Sequence, residues 1–189
     1  MKTSILYAWA QTLLFFGRNA AALRAFEEVV AEDPSRDEAW SVIGFLQVQR
    51  GAISEAVPAF QKALALRPDD VALCFNAAFA LQKAGDHERA MLLLRHAIEL
   101  DPKLDRGWYG LGLSLAHVGR YEDAIIQFRE AARLQPFNPY AGYQLGAALF
   151  KLGRRDELQQ EYERVKQFDP KVSAIMRADF GIQDPEFTR

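Results

Sequence analysis

Pro34, Pro68, Pro102, Pro136 and Pro170 stand 34 residues apart, and so do Gly17, Gly51, Gly85, Gly119 and Gly153. Proline and glycine both interrupt regular backbone. Holding them in one register through most of a 189-residue chain restricts the fold to a tandem array of one small unit. Ala22, Ala56, Ala90, Ala124 and Leu158 form a third column, and Phe26, Phe60, Leu94, Phe128 and Tyr162 a fourth. The units run 3–36, 37–70, 71–104, 105–138 and 139–172.

Each unit reads as two helices. In the fourth, Trp108, Leu111, Gly112 and Leu115 follow the i, i+3, i+4, i+7 spacing of one helical face. Gly119 ends that helix, because glycine readily takes the positive φ of a helix C-terminus. A second helix follows with Ala124, Phe128 and Ala131 on one side, and Pro136 stops it by lacking an N–H and restricting the residue before it. Asn138-Pro139 is a good cap and first-turn pair for the next helix.

The fourth unit carries Trp108-x2-Leu111-Gly112-x2-Leu115, then Ala124-x3-Phe128, then Pro136; the second carries Trp40, Ile43, Gly44, Ala56, Phe60 and Pro68. With the 34-residue period, these residues resemble the tetratricopeptide repeat (TPR) family, whose pattern is W-x2-L-G-x2-Y, A-x3-F, P. The third unit departs most, with Cys74 for Trp and Ala78 for Gly, and the fifth has Gly142 and Leu158 in place of Trp and Ala. The resemblance covers residues 3–172. It implies an all-α fold: a right-handed superhelical α-solenoid of five antiparallel helix pairs, with a concave groove lined by the first helix of each pair. Small residues such as Ala56, Ala90, Ala124, Gly44 and Gly112 permit close helix approach, and Trp40, Phe60, Trp108 and Phe128 fill the gaps. Residues 1–180 are expected to form a single solenoid domain. A short capping helix at about 172–180 closes it through Val172, Ile175 and Met176, and 181–189 form a loose tail.

Charge narrows the function. Lys and Arg total 23 and Asp and Glu 25, a net charge of −2, and no repeat departs from neutrality by more than two charges. A nucleic-acid binder usually shows a basic face, so nucleic acid is not an expected partner. Half of the residues are apolar, enough for a buried core. Lys2 followed by Ile5 to Trp9 and Leu13 to Phe16 has the outline of a secretory signal, with Ala20-Ala21-Ala22 as its cleavage site. The same residues fill the first repeat, so cleavage would destroy a structural unit. The expectation is a retained helix, a cytoplasmic protein and no membrane span.

Chemistry is sparse. Cys74 stands in a core column and reads as a buried, inert thiol. His87, His96 and His117 have no Cys or carboxylate at metal-ligand spacing. Glu27-Glu28 and Asp69-Asp70 are adjacent, and neighbours on a helix do not face each other. Asp69-Asp70 instead suits the start of the following helix. With no phosphate loop, nucleophile elbow or H-E-x-x-H, neither an enzyme nor a cofactor nor a metal site is expected.

By the resemblance, the groove is lined by Tyr7, Ser41, Phe75, Tyr109 and Tyr143. One turn on come Gln11, Phe45, Phe79, Leu113 and Ala147, then Leu14, Val48, Gln82, Ala116 and Phe150. Phe45 and Phe79 stand where polar side chains are common in the family. Some TPR adaptors grip a terminal carboxylate through Lys, Asn and Arg; only Asn76 and Arg106 match that clamp here, so it is absent. The expected partner is a protein whose apolar peptide or helix enters the groove, which makes the chain a scaffold or adaptor. The alternatives are a chaperone-like factor for a secreted or membrane client, an accessory that presents substrates to a catalytic subunit, and a self-associating module. The last rests on the nearly uncharged first helix. There, Leu6, Trp9 and Leu13 are expected to pack inward, while Ile5 and Phe16 form the outward face of a homodimer or docking site.

Overall fold

The computed structural model describes residues 2–183; Met1 and residues 184–189, most of the expected tail, lie outside the described residues. Eleven α-helices and no strand occur among the described residues. The chain divides into two compact units, residues 1–100 and 101–189.

The first unit contains three helix pairs: α1 (Lys2–Phe15) with α2 (Asn19–Glu32), α3 (Asp37–Gln49) with α4 (Ile53–Leu66), and α5 (Val71–Lys83) with α6 (His87–Leu100). Each pair packs along its length, and the second helix of one pair packs on the first helix of the next. The second unit has α7 (Asp105–His117) with α8 (Tyr121–Leu134), and α9 (Pro139–Lys151) with α10 (Arg155–Lys166), followed by α11 (Pro170–Phe180) on α9 and α10.

The glycine column makes the turn inside every pair. Gly17, Gly51, Gly85, Gly119 and Gly153 all have φ between +69° and +82°. At Gly119 the N–H bonds to Ala116 O (3.1 Å) and that of Arg120 to Leu115 O (2.9 Å), a Schellman closure that satisfies two carbonyls at the end of α7. The proline column makes the turn between pairs. There, Trp40 Nε1 donates to Pro34 O (2.9 Å), Trp108 Nε1 to Pro102 O (3.0 Å) and Cys74 Sγ to Pro68 O (3.3 Å). This column thus pins the turn that precedes α3, α5 and α7. Asp70 and Asn138 cap α5 and α9 by accepting from Leu73 N–H and Tyr140 N–H.

The core follows the small and large columns. Ala22, Ala56, Ala90 and Ala124 are fully buried, as are Phe26 and Phe128. A Cβ added to Gly44 would lie 2.9 Å from the Phe60 ring, and one added to Gly112 only 2.6 Å from the Phe128 ring, so the absence of a side chain is what lets each pair close.

Two expectations at the chain ends are corrected. Trp9 points outward rather than into the core; Ala10 and Leu13 take the buried positions, with Leu6 partly buried beside them. The capping helix starts at Pro170, and its buried side chains are Ser173, Met176 and Phe180, whereas Ile175 is exposed. Residues 173, 176 and 180 share a face, and Met176 and Phe180 lie against Gly146, where a Cβ would meet them at 2.8 and 3.2 Å.

Candidate functional site

In the first unit, α3 and α5 lie side by side and present the same repeat positions to one surface. Phe45, Val48, Phe75, Asn76 and Phe79 converge there with Phe60 on a pocket of about 250 Å3. Phe45 and Phe79 are 47% and 40% exposed, which leaves their rings open to a ligand while their edges wall the pocket. Phe60 is buried beneath and forms the floor. Asn76 is the one polar residue in the lining. Lys83 Nζ lies 5.3 Å from the Phe79 ring centroid and places a single positive charge at the rim. Five residues named from the sequence (Phe45, Val48, Phe75, Asn76 and Phe79) therefore form one site, with Phe60, expected only in the core, beneath them.

The remaining named residues are placed differently. Tyr7 is partly buried, with its ring edge-on to Phe26 (5.8 Å) and the Arg36 guanidinium 5.0 Å from its centroid. Gln11 is exposed. In the second unit, Arg106 is exposed and Leu113 half-buried. Tyr109 packs against Phe128 (6.0 Å); burial pushes its hydroxyl above the ordinary tyrosine range, partly offset by a hydrogen bond with Gln144.

Tyr143 is partly buried by the capping helix, while Phe150 touches that helix on one side and stays 43% exposed. The Phe180 ring of α11 lies 5.3 Å from Tyr143 and 5.5 Å from Phe150, and Tyr143 donates its hydroxyl to Asp179 at 2.7 Å. That hydrogen bond, with burial and the carboxylate charge adding to it, raises the tyrosine pKa above its usual 10.0.

A second apolar pocket, of about 330 Å3, lies across α4, α5 and α6, with Val57, Leu64, Leu92 and Leu93 in its lining. It was not foreseen. The signal was Met91-Leu92-Leu93-Leu94: a helix cannot bury four consecutive apolar residues on one side, and Leu92 faces solvent.

Cys74 is buried; burial, then the charges of Asp70 and Asp69, push its thiol pKa up, so it stays protonated and unreactive. His96 pairs with Asp69 at 2.9 Å. Among the described residues no group of three or more His, Cys, Asp or Glu side chains could hold a metal ion. No helix among them is long and apolar enough to cross a membrane.

Family models match most of the sequence. Two described as tetratricopeptide repeat match residues 7–71 and 47–112, and one described as TPR repeat matches 115–153. The chain belongs to the tetratricopeptide repeat family. No curated protein matches it. Among solved structures it is similar to a MamA protein, at a TM-score of 0.84 and 20% identity over 96% of this chain and 97% of that one. YrrB, described as a TPR protein with an unusual peptide-binding site, superposes at 0.83 with 20% identity over 92% of this chain and 90% of its own. MamA 41-end from Desulfovibrio magneticus RS-1 does so at 0.79 with 24% identity over 94% and 96%. At such identities the likeness shows the fold, a helical solenoid. TPR proteins are in general non-enzymatic interaction modules, and the repeats together with these neighbours support a protein-interaction scaffold.

Proposed function

We propose that this scaffold is an adaptor that holds a partner protein by an apolar side chain seated in the pocket between Phe45 and Phe79. The observation that carries the reading is the convergence of three half-open phenylalanine rings and one amide on a single cavity of about 250 Å3. Small-molecule sites run from roughly 300 to 1,000 Å3, so this volume suits one protruding leucine-sized or aromatic side chain. Such a side chain, desolvated in a fitted pocket, is the usual anchor of a protein interface. The Asn76 amide both donates and accepts, and so can fix the main chain of the segment that carries the anchor, extended or helical. The pocket lining holds no acidic or basic side chain, which favours an apolar segment over a charged terminus.

The test is a comparison of what the wild-type chain and a Phe45→Gln, Phe79→Gln variant retain from the source cell. A partner held by the first and lost by the second supports the reading, provided a peptide from that partner binds the purified wild-type chain. Identical sets on the two chains would contradict it.

A further inference from the structure

We infer that two copies of this chain associate about a two-fold axis through the outward face of α1. Ile5, Trp9, Thr12 and Phe16 follow the spacing i, i+4, i+7, i+11 and make one straight stripe. Ile5, Trp9 and Phe16 are 69%, 55% and 71% exposed, and Phe15, at 85%, stands edge-on to Phe16 (5.3 Å). A hollow of about 400 Å3 opens between Trp9, Thr12 and Phe16, with Leu13 and Arg18 around it.

The repeat register says what this face is for. The positions equivalent to Ile5, Trp9 and Thr12 are Ala39, Ile43 and Leu46 on α3, and Leu73, Ala77 and Ala80 on α5, all buried. They share core clusters with residues of the preceding second helices, Phe26 and Val29 on α2 and Ala56 and Phe60 on α4. The stripe on α1 is that same packing face, without a second helix against it among the described residues.

A second copy fits it by symmetry. Antiparallel pairing about the midpoint between Ala10 and Gln11 sets Ile5 opposite Phe16 of the second copy and Trp9 opposite its Thr12, so each large ring meets a smaller side chain. No charged residue lies between Lys2 and Arg18, and Arg18, which borders the hollow, is itself exposed. At the ends, the pairing sets the Gly17–Arg18 turn of one copy beside the first turn of α1 in the other, where the hydroxyl of Thr3 donates to Glu32 Oε2 at 3.2 Å. A fully exposed aromatic side chain offers about 150–250 Å2, so the three rings present roughly 300–500 Å2. Ile5, Ala8, Thr12 and Arg18 extend this toward the roughly 800 Å2 per partner of a standard interface.

Sedimentation equilibrium of the 189-residue chain tests the inference. The expected result is a dimer whose dissociation constant rises about tenfold or more with Trp9→Glu, while helical circular dichroism stays unchanged. Mixing Ile5→Cys with Phe16→Cys under mild oxidation should give a cross-linked dimer. Ile5→Cys alone should not, because the two copies of that position lie about 16 Å apart along the paired helices. A wild type that stays monomeric at high micromolar concentration would overturn the inference. So would a dimer dispersed by Phe79→Gln and not by Trp9→Glu, which would seat one copy's end in the other's groove.

Discussion

Arg164 donates from Nη1 to the carbonyl oxygen of Pro136 at 2.8 Å, and so does for the fifth repeat what an indole N–H does for the second and fourth. The Trp position there is Gly142, where a Cβ would meet Val165 at 2.6 Å and the Arg164 guanidinium at 3.0 Å. The same guanidinium clasps Glu161, nearly buried, at 2.9 and 2.5 Å. Arg164→Ala should lower the unfolding free energy by about 2–3 kcal/mol, because it strands the carboxylate and the turn carbonyl together. Arg164→Lys should recover less than half, since an ammonium cannot span both acceptors as the planar fork does. Urea titration of the variants checks both.

Tyr143 and Asp179 tie the capping helix to α9 and make that contact sensitive to alkali. The tyrosine pKa is raised by the hydrogen bond to Asp179, so the native state holds the phenolic proton more tightly than the unfolded chain does. The contribution is therefore full below the ordinary tyrosine value of 10.0 and is lost as pH rises through the higher folded value. Denaturation midpoints should fall above about pH 10 in the wild type more steeply than in Tyr143→Phe. Parallel curves would contradict the coupling.

Phe128 is fully buried, and its ring occupies the space that Gly112 leaves free. Phe128→Ala should cost about 3–5 kcal/mol of stability, measured by chemical denaturation, through lost burial and the cavity left behind.

Salt separates apolar from electrostatic binding. With a pocket lined by phenylalanines, valine and one asparagine, partner affinity should change less than about threefold between low and high ionic strength. A steep loss, read by titration calorimetry, would point instead to Arg106, Lys83 and Lys151.

Much of the fold could be read from the period alone. Equal positions in successive repeats occupy equal faces, so the glycine turns, the proline turns and the core columns follow from one register, and the Phe45–Phe79 pair from that register together with the groove positions that the family resemblance implies. The ends broke the register. Trp9 was assigned inward on apolar character, yet its column is the one that later first helices press against a preceding second helix, and in α1 that face is open. The fifth repeat differs from the others because Phe180 stands one period after Gly146, fills the space that glycine leaves, and packs against Tyr143 and one side of Phe150. The pocket floor at Phe60 was hidden for a different reason: a residue can be core from one side and cavity wall from the other, and a column shows only its burial.

The central claim is that Phe45 and Phe79 hold the partner, and the affinity of single polar variants for the partner's segment tests it most directly. Both side chains are part-exposed, so Phe45→Gln and Phe79→Gln should melt near the wild-type temperature. Each should weaken binding by about 1–2 kcal/mol, roughly five- to thirtyfold in dissociation constant. Wild-type affinity in both variants, with the fold intact, would contradict the account.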